Sequence, residues 1–324
     1  MRRREVVALL ATGLAWPEAA FAQQRLPAIG FLNSASREGF EPYVAAFRDG
    51  LKEAGFVEGQ NILVEYRWAE GHYDRLPSLV KDLMVQEVAV IAATSTPAAL
   101  AAKAATTSIP IVFTTASNPL DLGLVASLSR PGGNVTGATQ MNVEVAPKRL
   151  ELLHELLPSV TAMALLINPA NPYVEAVRRD TSAAADRLGI NLEVLSASTE
   201  GEIEEAFATA ARLGVGALVI GTDTFFTGRS EQLAALTLRY RLPSIYQYRA
   251  FAAAGGLLTY GGSIRFSYRT AGSLTGRVLK GEKPADLPVE QVAQIELVIN
   301  LKTAKVLGLT FPITLLGRAD EVIE

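Results

Sequence analysis

Cysteine is absent from the 324-residue chain, which excludes disulfides, thiolate nucleophiles and cysteine-ligated metals. Histidine occurs only as His72, in a loop after Glu70-Gly71, and His154, inside a helix-patterned segment, so a His-rich metal site lacks its material. There is no GxSxG elbow and no motif-level pair of carboxylates, and acyl transfer or glycoside hydrolysis therefore lacks its usual groups. The formal net charge is -3 and no Lys/Arg stripe is present, so nothing resembles the counterion-releasing surface that nucleic acids require. The apolar run at the start, Val6 to Trp16, is too short to cross a bilayer with tolerance.

That run has another reading. Met1-Arg2-Arg3-Arg4 gives a basic start and Ala20-Phe21-Ala22 a small-x-small cleavage site, the layout of a bacterial export signal over residues 1–22. Arg3-Arg4 followed by apolar residues fits a Tat signal, and a Sec signal also accommodates it. No cysteine follows the site, so no lipoprotein anchor is expected, and the mature chain is expected free in the periplasm.

The remainder is long enough, and at 49% hydrophobic apolar enough, for two buried cores. Its organisation shows in one repeated plan. The stretch 165–173, Leu-Leu-Ile-Asn-Pro-Ala-Asn-Pro-Tyr, matches 28–36, Ala-Ile-Gly-Phe-Leu-Asn-Ser-Ala-Ser: an apolar run ends in Asn, a polar turn follows, and a helical pattern begins. Asn33 and Asn168 thus hold equivalent places, each opening an alternating strand and helix series. Strands are expected near 27–32, 61–66, 88–93 and 109–113 in the first half. In the second half they are expected near 160–167, 191–195, 217–220, 243–246 and 257–260, with 295–300 after a long helix at 263–279. Glycine-rich crossings are expected near 132–137 and 255–262. Trp68 is expected past its strand, in a charged loop with surface packing.

Polar turns of small residues follow the strands: Asn33-Ser34, Ser95-Thr96-Pro97, Ser117-Asn118-Pro119 and, in the second half, Thr222-Asp223. In a parallel sheet such turns share one edge, where helix N-termini offer free N–H groups to an anion such as a carboxylate. Any one of these residues is also an ordinary helix cap. Phe225, Phe226, Tyr246 and Tyr248, with Phe40 and Tyr43, could supply aromatic faces. Phe226 could equally pack inward.

The segments GLKEAGFVEGQNILVEYRWAEG (50–71), STPAALAAKAATTSIPIVF (95–113), RPGGNVTG (130–137), APKRLELLHELLP (146–158) and LVINLKTAKVLGL (297–309) resemble the ABC-transporter substrate-binding proteins of the TrpX-like family. The resemblance covers essentially the whole mature chain and rests on the combination of motifs. It implies an α/β type I periplasmic-binding-protein fold, with two Rossmann-like lobes joined by hinge strands: 26–141 plus 262–283 as lobe I, and 142–261 plus 284–324 as lobe II. It implies a monomer without cofactor that clamps a small solute, aromatic or carboxylated and possibly an amino acid, and delivers it to an inner-membrane ABC permease and its ATPase. The expected ligand-binding positions are Ser95, Thr96, Ser117, Asn118, Gln140, Asn168, Thr222 and Asp223, which match places in the family, together with Asn33, Ser34, Phe225 and Tyr246 from the turns and aromatics above. Asn118 and Gln140 stand where the amino-acid-binding branch often has Asp, which weakens the preference for an ammonium group. A periplasmic sensor for a membrane kinase shares all these features, whereas an exported enzyme lacks the catalytic motifs.

Overall fold

A computed structural model describes residues 26–292 and 294–324; the expected export signal lies outside the described residues. The first half runs β1 (Ala28–Asn33), α1 (Glu41–Glu53), β2 (Leu63–Trp68), α2 (Leu76–Val85), β3 (Val90–Ala93), α3 (Thr96–Ala105), β4 (Ile111–Thr115) and β5 (Val135–Thr139). β3, β4 and β5 are buried along their whole length, the condition of parallel strands covered by helices on both faces.

The second half repeats the plan with α4 (Ala146–Leu156), β6 (Ala162–Ile167), α5 (Val174–Leu188), β7 (Asn191–Ser196), α6 (Glu200–Leu213), β8 (Leu218–Ile220), α7 (Thr224–Thr227), α8 (Ser230–Arg239), β9 (Ser244–Tyr246), α9 (Arg249–Ala253) and β10 (Leu258–Gly262). The chain then forms α10 (Ile264–Leu279), β11 (Glu290–Gln291), β12 (Ile295–Asn300), α11 (Leu301–Leu307), α12 (Ile313–Leu316) and β13 (Glu321–Ile323).

One sheet has the order β11-β5-β4-β3-β1-β2 and the other β13-β12-β10-β9-β8-β6-β7. In both, the opening strand lies between the second and third of its series, so the two halves share a doubly wound order. All pairings are parallel except β10 with β12. Ligands of such sheets bind beyond the carboxyl ends of the strands.

α10 follows the second sheet in sequence yet packs in the first core, where Tyr268, Ala271 and Leu274 meet Tyr43, Phe47 and Leu51 of α1. Two glycines permit the contact. A Cβ at Gly50 would lie 1.9 Å from the Arg269 carbonyl oxygen, and one at Gly272 would lie 2.0 Å from that of Phe47.

Among the described residues the chain changes sheet after β5, after β10 and after β11. Asn142 joins the first two crossings: its Oδ1 accepts from the Gly262 N–H at 2.7 Å and its Nδ2 donates to the Gly262 carbonyl at 3.4 Å. The third lies beside them, the Val292 N–H donating to Thr139 O at 2.9 Å. These positions correct two expectations. Gly132 and Gly133 form the turn into β5, and the crossing follows that strand. The tail is divided, because Glu290–Gln291 pair with Ala138 and Thr139 of the first sheet and the second sheet resumes only at Ile295. Trp68 also differs: it closes β2, partly buried against Phe31 and Phe40.

Candidate functional site

The carboxyl ends of the two sheets face each other across one pocket. The first lobe contributes Thr94, Ser95 and Thr96 after β3, Thr114, Thr115 and Ala116 at the end of β4, and Gln140 after β5. The second contributes Tyr173, Asp223, Thr224 and Thr227, with Gln247 and Tyr248 after β9. Phe40, Ile264 and Tyr268 complete the walls. Of the twelve ligand-binding positions expected from sequence, Ser95, Thr96, Gln140 and Asp223 lie in this lining, as do Phe40 and Tyr248 of the aromatic candidates.

Ser95 caps α3. Its Oγ accepts from the Ala98 N–H at 3.3 Å and from the Ser34 N–H at 3.2 Å. Pro97 has no N–H, the Ala98 N–H goes to that Oγ and the Ala99 N–H to the Ser95 carbonyl at 2.9 Å, so what this end of the ten-residue helix offers an anion is chiefly the positive end of its dipole. Thr96 and Thr115 share a hydroxyl contact of 2.7 Å beside it. No Lys or Arg lines the pocket, so backbone dipoles and hydroxyls form its electropositive side.

Asp223 is the one carboxylate in the lining. It caps α7 by accepting the Phe225 N–H at 2.8 Å and takes Asn168 Nδ2 at 3.1 Å; Asn171 Nδ2 bonds its other oxygen. Tyr73, from the turn after β2 in the opposite lobe, donates its phenol proton to the same carboxylate, 2.9 Å from Oδ1 and 3.1 Å from Oδ2. The side chain is only 2% exposed, and burial pushes its pKa up to about 6 despite these donors. A second contact across the cleft is the Tyr248 phenol donating to Gln140 Oε1 at 3.1 Å.

Eight expected positions lie outside the lining. Asn33 donates to the Thr94 carbonyl, the Thr94 hydroxyl and the Tyr268 phenol, and accepts from Ala35 N–H at 2.8 Å. Ser34 is buried behind Ser95. Ser117 and Asn118 are drawn to Glu144, whose Oε1 takes the Ser117 hydroxyl at 3.1 Å and the Asn118 N–H at 2.8 Å. Asn168 reaches the pocket only through Asp223. Thr222 contacts Arg149 Nη2 at 2.8 Å. Phe225 packs beneath Gly71 with the Arg229 guanidinium 3.9 Å from its ring centre. Tyr246 is fully buried and donates to the Asp223 carbonyl at 3.0 Å.

Sequence reasoning missed Tyr73, Tyr173 and Tyr268. Tyr173 ends the LINPANPY turn already singled out, and an aromatic at that place was a usable signal. Tyr73 and Tyr268 had none, since each reaches the cleft through tertiary structure.

Arg149 sits at the base of the cleft, fully buried. It donates to the Tyr260 carbonyl at 3.1 Å and the Asn142 carbonyl at 2.9 Å, holding two crossing segments and Thr222 together. Burial lowers its pKa to about 10, which leaves it a cation at neutral pH. Among the described residues no cluster of three or more His, Asp or Glu could hold a metal ion, and no helix is long and apolar enough to cross a membrane.

Two doubly wound lobes, three crossing segments and a pocket between opposed strand ends define a two-lobe solute-binding protein. The model of the ABC transporter substrate binding protein family matches residues 29–323, and the chain belongs to that family. It is the substrate-binding component of an ABC transport system, with a small molecule and a membrane transporter as partners. A tyrosine-binding protein of Clostridioides difficile is 26% identical over 264 residues, covering 81% of this chain and 75% of that one. The crystal structure of an ABC domain in complex with L-Trp from Streptococcus pneumoniae superposes with a TM-score of 0.82 at 26% identity, over 92% of this chain and 100% of that one. A ligand-free, open substrate binding protein from Clostridium difficile superposes with a TM-score of 0.61 at 22% identity, over 92% and 99%.

Proposed function

We propose that the solute is an aromatic amino acid, held as a zwitterion between the lobes. The observation that carries this reading is the polarity of the pocket. A helix N-terminus and hydroxyls form the wall of one lobe, and the lone lining carboxylate stands on the other. An α-carboxylate fits the α3 end and an α-ammonium the Asp223 side. Phe40, Tyr248 and Tyr268 offer ring faces to a planar side chain, each aromatic pair contributing roughly 0.5–1.5 kcal/mol beyond burial. The names of the tyrosine-binding relative and the L-Trp complex agree with that choice.

Capture and release are this protein's whole chemistry under this reading, with no bond made or broken. The lobes close on the solute, and the transporter reads the closed form. The protein acts as a monomer in the periplasm after removal of residues 1–22. Ser95, Thr96, Gln140 and Asp223 are the expected positions that touch the solute. The remaining expected positions support them from behind. Isothermal titration against tryptophan, tyrosine, phenylalanine and leucine tests the proposal. One site per chain with a preference for the aromatic members is expected, and a preference for leucine or no heat with any of them would overturn it.

A further inference from the structure

Gln247 carries a polar atom that the fold leaves without a partner. The side chain lines the pocket at the carboxyl end of β9, is 2% exposed, and its Oε1 is buried with no donor. A buried carbonyl oxygen in that condition costs free energy unless something else supplies the proton. The orientation of the amide follows from its neighbours. Tyr246 has one phenol proton, and the Asp223 carbonyl at 3.0 Å and the Thr227 hydroxyl at 2.9 Å both lie within its reach, so Tyr246 Oη faces Gln247 as an acceptor. Gln247 therefore turns Nε2 towards it, at 3.3 Å, and the oxygen is the atom left over.

Asp223 differs in this respect. Its two oxygens already accept from Tyr73, Asn168, Asn171 and the Phe225 N–H, so its lone pairs are largely taken before any solute arrives. The carboxylate supplies negative potential to that wall, and the neighbouring amide oxygen supplies the open acceptor.

We infer that Gln247 Oε1 is the atom that receives a proton from the solute's ammonium group, making Gln247 the residue that selects amino acids over their des-amino counterparts. This deepens the reading of the solute as an aromatic amino acid and rests on it. The ammonium then lies between the open amide oxygen and the field of Asp223, with the carboxylate across the cleft at α3.

Titration of wild-type protein and the near-isosteric Gln247→Met variant with L-tryptophan and indole-3-propionic acid, which lacks only the amine, tests the assignment. The variant is expected to lose about tenfold or more in affinity for tryptophan, the range of a hydrogen bond to a charged group, and less than about threefold for the des-amino acid. The ratio of the two affinities is the readout, because a merely structural role would weaken both together. Gln247→Glu retains an acceptor oxygen and is expected to keep the preference for the amine, which covers the case of a Met variant that does not fold. An unchanged ratio in the Met variant, or loss of the amine preference in a folded Glu variant, overturns the assignment. Wild-type protein that binds neither compound nor any other aromatic amino acid overturns the underlying reading, and the assignment with it.

Discussion

Tyr73 and Asp223 stand in different lobes, 150 positions apart in sequence, and the phenol of one closes on both carboxylate oxygens of the other. The bond exists only when the lobes are together, so it biases the open-closed equilibrium by its own strength. A hydrogen bond to a charged group contributes about 1.5–3 kcal/mol. Tyr73→Phe is therefore expected to shift ligand-free protein towards the open form and to raise the solute Kd by roughly tenfold. Small-angle scattering of the ligand-free variant should show a larger radius of gyration than wild type, and an identical profile would rule the clasp out.

The same carboxylate gives stability a pH dependence of known sign. Its folded pKa of about 6 lies above the ordinary aspartate value of about 3.9, so the folded form binds the proton more tightly than the unfolded chain. That contribution is complete below the unfolded value and disappears as pH rises through about 6. Compared with Asp223→Asn, the wild type should gain roughly 2–3 kcal/mol between pH 7 and pH 4, with little further change above pH 7. Thermal unfolding of both proteins across this range checks the sign; a wild-type advantage that grows with pH would contradict it.

Arg149 predicts a hinge phenotype distinct from a pocket phenotype. Its three bonds run to two crossing segments and to Thr222, and none of the three acceptors, Tyr260, Asn142 and Thr222, belongs to the pocket lining. Lysine cannot match the forked guanidinium, so Arg149→Lys should leave buried carbonyls short of donors and cost about 1–3 kcal/mol. Thermal denaturation without ligand is the measurement. A variant with wild-type stability would show that the three bonds are replaceable.

The close approach of α1 and α10 makes Gly272 intolerant of a side chain. A methyl group there would overlap the Phe47 carbonyl, a backbone atom that cannot rotate away. Gly272→Ala is expected to destabilise by at least about 3 kcal/mol, above the gain in helix propensity of about 1 kcal/mol. Chemical denaturation, or the yield of soluble protein, reports it.

Much of this architecture was legible because parallel strands buried on both faces and polar turns at their ends leave local signatures. Asn33 and Asn168 show how far that goes. Each closes the opening strand of its lobe, and each accepts the N–H two residues on, from Ala35 and Ala170. Each also reaches across to the end of the third strand of its lobe, Thr94 in one case and Asp223 in the other. Their equivalence in sequence was real, but it reflects turn construction and support of the pocket wall. The pocket lining was harder to read. A buried asparagine bonded internally and one facing a cleft look alike in sequence; Tyr73 arrives from the turn after β2, and Tyr268 from a segment whose local pattern says only helix. The short β11 also left no pattern, since two residues cannot display a period.

The first lobe begins at Ala28 but lacks the inner support of α1 until α10, residues 264–279, has been made. A nascent or truncated chain that stops before Ile264 leaves Tyr43, Phe47 and Leu51 with their main helical neighbour missing. The earliest part of the polypeptide is thus among the last to become fully native, and a protease meeting a shortened product would find its cleavage points near the beginning, far from the missing end.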